Sequence, residues 1–244
     1  MNPCALFWFT VLLTGSPARA TCQTIIDPDA LYAARESLSQ ATRAESIWAG
    51  RLAQDSRDFE SAWKLARGRY WLGGHGPQSE RKDRFEAGIA AARVAIELQP
   101  NRPEGYFWIA ANMAGLAESS SPLQRLKFSG PVKDALTTVL RLDRAFQDGS
   151  ADRALGRWYY KVPGLFGGSK KKSEEHLRQS LTYAPQSTAS LFFLAETLLA
   201  LGRKDEARAA LQGVIDAPLD PDWAPEDREF KTMASETLRQ LGGS

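Results

Sequence analysis

Residues 191–211 read LFFLAETLLALGRKDEARAAL, and their spacing decides the fold. Leu191, Leu194, Ala195 and Leu198 recur at helical spacing along one face, with a small residue where a larger one would hold a neighbour away. Gly202 turns the chain, and Ala207 and Leu211 then open a second apolar stripe. Two antiparallel helices follow. The small residues let them approach closely, and the larger ones fill the groove between them.

The same slots recur upstream with longer connections. Tyr106, Ile109, Ala110 and Met113 begin one unit. Asp152, Leu155, Gly156 and Tyr159 begin another, whose second helix carries Ser173, Leu177 and Ser180 before Pro185. Trp63, Ala66 and Tyr70 begin an earlier unit, closed by Ala92, Ala95 and Pro100. The first unit is the most degenerate, with Asp27-Pro28 starting a helix and Ala44 and Trp48 in second-helix slots. Between Tyr106 and Leu155 the second helix is expected over Val132 to Leu142. This is the tetratricopeptide pattern, W-x2-L-G-x2-Y followed by A-x3-F. A final stripe, Phe230, Met233, Ala234, Thr237, Leu238 and Leu241, gives one more helix, placed to cover the exposed end of the array. The fold class expected is all-α, a tetratricopeptide-like right-handed helical-repeat solenoid of about five helix pairs with a C-terminal capping helix. No alternating run bounded by turns signals a strand.

The N-terminus reads differently. Ala5 to Leu13 is an apolar run too short to span a bilayer, followed by Gly15-Ser16-Pro17 and Ala18-Arg19-Ala20. These features predict a signal peptide over 1–20 and one domain over 21–244, in the periplasm. Cys22 is then the one remaining cysteine, so no internal disulfide is available. The residues before it, Arg19-Ala20-Thr21, match a lipobox poorly, and lipidation is not expected. Lys and Arg number 31 against 29 Asp and Glu, spread along the chain, which gives no footprint for nucleic acid. No later stretch is long and apolar enough for a membrane span.

Enzymatic motifs are missing. From Gly164 the second glycine of a phosphate loop falls on Ser169, so Ser169 to Lys172 reads as a capped, solvated helix start. The two histidines, His75 and His176, have no second ligand nearby in sequence, so no metal and no cofactor are expected. No residue set fills the roles of nucleophile, base and orienter.

Binding is the remaining expectation. Two glycine-rich stretches, Gly73 to Pro77 and Pro163 to Gly168, follow similar tetrapeptides and are expected as insertion loops on one edge. Gly164, Phe166, Gly167 and Gly168 are the candidate loop residues. Positions just after the first-helix slots should line the concave wall: Trp71, Phe107, Ala111, Arg153, Arg157, Tyr160, Phe192 and Leu199. A wall so apolar beside two guanidiniums suits an amphipathic molecule with an acidic head, Arg153 or Arg157 meeting the acid. The alternative is that these aromatics pack in the core.

Asp27-Pro28-Asp29-Ala30-Leu31-Tyr32, Trp63-x-x-Ala66-Arg67-x-x-Tyr70, Glu104-Gly105-Tyr106-Phe107-Trp108 and the run from Leu155 to Gly164, continuing to Gly167-Gly168-Ser169-Lys170, resemble the T component of tetratricopeptide-associated TRAP transporters (TatT). The resemblance covers most of the chain after the leader. It implies a non-enzymatic periplasmic accessory that binds or passes a hydrophobic organic acid. It also implies a TRAP solute-binding protein or permease as partner, and assembly as a homotrimer. The alternative is a tetratricopeptide protein-interaction scaffold in cell-envelope assembly.

Overall fold

The computed structural model describes residues 26–242, so the expected leader, its cleavage point and Cys22 lie outside the described residues. Among the described residues eleven α-helices follow one another: α1 Pro28–Ala33, α2 Leu38–Gln54, α3 Phe59–His75, α4 Arg81–Leu98, α5 Pro103–Glu118, α6 Pro122–Leu142, α7 Phe146–Lys161, α8 Lys170–Tyr183, α9 Thr188–Ala200, α10 Lys204–Asp216 and α11 Ala224–Gly242. The same residues include no strand. Helix starts are written in the sequence. Asp27, Asp58, Ser169 and Ser187 accept a backbone N–H of the first turn, and Pro28 and Pro103 occupy the first helical position.

Successive helices pack as antiparallel pairs, and first helices of neighbouring units also touch, α3 against α5 and α7 against α9. The small slot residues account for that closeness. A Cβ on Gly156 would stand 2.5 Å from Leu177 Cγ, and the Ser173 hydroxyl donates to the Gly156 carbonyl at 2.8 Å, so α7 and α8 meet almost backbone to backbone. Asn112, fully buried, ties α5 to α3 by donating to the Ala66 carbonyl at 3.1 Å. One apolar core runs from α1 to α7, and a second is built from α8 to α11 around Leu177, Leu198, Leu211 and Val214.

Two expectations fail, each for a packing reason. Gly73, Gly74 and His75 are not loop but the last turn of α3, because Gly73 lies against the Phe85 ring, 2.7 Å from where a Cβ would be. The second helix after Tyr106 begins at Pro122, ten residues before Val132, with Pro131 inside it. Pro131 removes one backbone donor. The helix persists because Phe128, Val132, Leu136 and Val139 form one stripe packed into the larger core.

Helix α11 covers the last pair as expected, with Ala234 fully buried and Phe230 between Phe192 and Phe193 at centroid distances of 5.6 and 5.4 Å. It also does something a plain cap does not. Its first turns reach back to the opposite end of the array and bond to the first helix pair.

Candidate functional site

The returning contact is a latch at Arg35, which is 1% exposed. Its guanidinium lies over the Tyr32 and Trp71 rings, 4.8 and 5.2 Å from their centroids. It donates to Glu226 through Nε at 3.1 Å and again through Nη2, and to the Asp222 carbonyl at 2.8 Å. Burial pushes the Glu226 carboxyl above its usual range, with Arg35 opposing the shift. Two more contacts flank the latch. His75 Nε2 meets Glu229 at 2.9 Å, and Arg228 meets Glu36 at 2.6 Å. Residues far apart in sequence are thereby joined, and α11 becomes a strap across the concave face.

Beneath the strap is a cavity of about 1170 Å³. Its walls come from every first helix after α1. Tyr70 and Trp71 stand on α3, Phe107, Ala111 and Ala114 on α5, Arg153 and Arg157 on α7, and Phe193 on α9. Val132 and Leu136 of α6 form the floor, and Leu219, Trp223 and Phe230 the roof. Mostly apolar walls with a few converging polar groups are the usual make-up of a ligand site. Tyr70 keeps 39% of its surface open, and the protein groups crowded about its hydroxyl push it up to about 12. Like any tyrosine it is a neutral donor at physiological pH.

Of the residues expected on the wall, Trp71, Phe107, Ala111, Arg153 and Arg157 are there. Tyr160, Phe192 and Leu199 are not among its lining residues. Tyr160 sits under the Lys170 ammonium, 3.6 Å from the ring centroid. Phe192 is buried in the second core because Phe230 wedges between it and Phe193, and its neighbour takes the wall position. Leu199 packs into that same core. Gly164, Phe166, Gly167 and Gly168 form a separate turn, a short 3-10 helix over Gly164–Phe166 that ends in Gly167 at φ +96°. The turn joins the cavity only through Pro163.

The two arginines separate sharply. Arg157 is paired to Glu196 and lies over Phe193, 4.5 Å from its centroid, so its charge is already met. Arg153, half-buried one turn earlier, has no hydrogen bond or ion pair among the described residues. Burial pulls its guanidinium below the ordinary value, against the fields of Asp148, Tyr70, Asp227 and Glu226.

Sequence reasoning missed the turn that precedes Arg153. Gln147, Asp148 and Gly149 are left-handed in succession, at φ 44°, 56° and 73°. For the two residues with a Cβ this costs on the order of 1–3 kcal/mol each. Gly149 is required, since a Cβ there would meet Tyr183 Cδ2 at 2.7 Å. Gln147 and Asp148 line the cavity. The Asp-Gly dipeptide was the available signal. The strap contacts of Arg35 left none.

A family described as "Regulator of microtubule dynamics protein 1-3" matches residues 27–171, and "Tetratricopeptide repeat" matches residues 171–225. No curated relative matches the sequence. Among solved structures, a thermophilic TPR protein of Thermus thermophilus is similar, at a TM-score of 0.66 and 19% identity, over 86% of this chain and 97% of that one. MamA is similar at a TM-score of 0.50 and 16% identity, over 82% of this chain and 95% of that one. At such identities the likeness is one of fold, an all-α tetratricopeptide-like array.

Proposed function

Since the chain belongs to the regulator of microtubule dynamics protein 1-3 family, we propose that it is a non-enzymatic interaction scaffold that engages its partner through the roofed concave cavity. The observation that carries this reading is the surplus of aromatic surface there. Tyr70 of α3, Phe193 of α9 and Trp223 before α11 line the cavity while keeping part of their surface open. Aromatic anchors in a concave pocket are what a partner segment would fill. The family description speaks of microtubule dynamics, and a cytoskeletal protein is one identity the partner could have.

The test is site-specific photo-cross-linking in the native cell. A probe at Ala111, inside the cavity, should capture one defined protein, while a probe at Glu97, exposed on α4, should not. Equal capture from both positions would refute engagement through the cavity.

A second reading is supported by Arg153, a guanidinium on the cavity lining with no ion pair among the described residues. In it the chain, exported by the leader over 1–20, is a periplasmic accessory of a TRAP-type transporter that carries an amphipathic molecule for a solute-binding protein or permease. Native mass spectrometry of residues 21–244 purified from a periplasm tests it. A trimer or a bound amphiphile supports that role, and a ligand-free monomer counts against it.

A further inference from the structure

The ligand-carrying reading can be taken further, because α7 brings two opposite charges close together along the cavity lining. Arg153 and Asp148 both line the cavity, and among the described residues neither has a hydrogen bond or an ion pair. The other carboxylates whose fields reach Arg153 are committed elsewhere. Glu226 is bound by Arg35, while Asp227 accepts from the Thr188 hydroxyl and from the Asp220 N–H at 2.8 Å. The strained turn at Gln147–Gly149 is what puts Asp148 on the same side as Arg153, which stands on the first regular turns after it.

A plain acid fits this arrangement poorly. Its single negative charge would gain from Arg153 but would stand in the field of the unpaired Asp148. A head that carries a cation a few bonds from its anion matches both ends and brings no net charge into an apolar chamber. The walls offer that cation aromatic faces as well, on Tyr70 and Trp223. A cavity of about 1170 Å³ holds such a head together with an apolar chain.

We propose that Arg153 and Asp148 form a headgroup subsite for a zwitterionic amphiphile, Arg153 holding the anionic oxygens and Asp148 the ammonium, with the chain along Phe107, Ala111 and Phe193. This inference rests on the ligand-carrying reading and narrows the acidic head expected there. The same chemistry is found in a free single-chain amphiphile and in a membrane phospholipid.

Titration calorimetry with a single-chain lysophosphatidylethanolamine, and with an alkyl phosphate of equal chain length, tests the subsite below the micelle threshold. The zwitterion should bind at least about tenfold tighter to the native chain. Asp148→Asn should level the two affinities, and it should fold normally because asparagine accepts the left-handed conformation. Arg153→Met should weaken both ligands by about tenfold or more. Extraction of a two-chain phosphatidylethanolamine from vesicles would assign a membrane source. Binding of the single-chain form alone would assign a free one, and both uphold the subsite. Equal affinities for the two heads in the native chain, or a preference unchanged by Asp148→Asn, would overturn it. If neither amphiphile binds, the ligand-carrying reading falls with it.

Discussion

Replacing Arg35 with methionine should open the strap without unfolding the array. The side chain is 1% exposed, and methionine keeps much of its contact with Tyr32 and Trp71 while removing every donor. Glu226 then loses both charge-assisted bonds, and the Asp222 carbonyl loses its donor. Breaking a buried ion pair from one side costs roughly 3–5 kcal/mol, and the low end applies because the Glu226 side chain stays 23% exposed and water can reach it. About 3 kcal/mol is about two factors of ten in the opening equilibrium of the strap. Hydrogen exchange followed by mass spectrometry reads this directly in the first turns of α11. Exchange there should speed up by about a hundredfold, while α5 and α9 keep their protection. Arg228→Gln is the internal control. Its pair with Glu36 is about half exposed on both sides, so water and salt screen it and its loss should leave exchange near the native rate. Adding Glu226→Met to Arg35→Met should recover most of the loss, because the uncompensated carboxylate is removed. Exchange within twofold of native, or a double variant as open as the single one, would refute the latch.

Gly156→Ala should lower the free energy of unfolding by about 1–3 kcal/mol in urea titrations, since its Cβ would stand 2.5 Å from the fully buried Leu177. Arg157→Gln should change amphiphile affinity less than about twofold, in contrast to Arg153→Met, because Glu196 already satisfies Arg157. Glu174 should contribute to acid sensitivity. Burial raises its carboxyl, but hydrogen bonds from Arg178 and Arg203 outweigh this and hold it below the ordinary 4.5. A depressed carboxylate adds stability that is present above its unfolded value and lost as pH falls through the folded one. Glu174→Gln should therefore flatten the decline in melting temperature below about pH 4.5.

The helix pairs were legible because their signal is local. Leu191 to Leu211 sits in every slot without insertion, and a repeat helix buries its slots wherever it stands. The wall was legible only up to the point where another part of the chain decides it. Phe192 and Phe193 differ by about 100° around one helix, and Phe230, far along the sequence, selects which one faces the cavity. Arg153 and Arg157 share a helix face, and Glu196, arriving from another helix, pairs Arg157 while Arg153 has no ion pair among the described residues. Glycine misled at Gly73, where its chain freedom suggested a loop but its missing Cβ serves the Phe85 ring. The latch between Arg35 and Glu226 joins the two ends of the array, so no period or motif announces it.

Engagement of ligand or partner inside the cavity under α11 is tested most directly by filling that cavity. Ala114 lines the wall on α5, and Ala114→Trp would place an indole in the chamber. Affinity for the lysophosphatidylethanolamine, or for the protein captured at Ala111, should fall by more than about tenfold while the melting temperature stays within a few degrees of native. Undiminished affinity in a folded Ala114→Trp chain would contradict binding in the cavity.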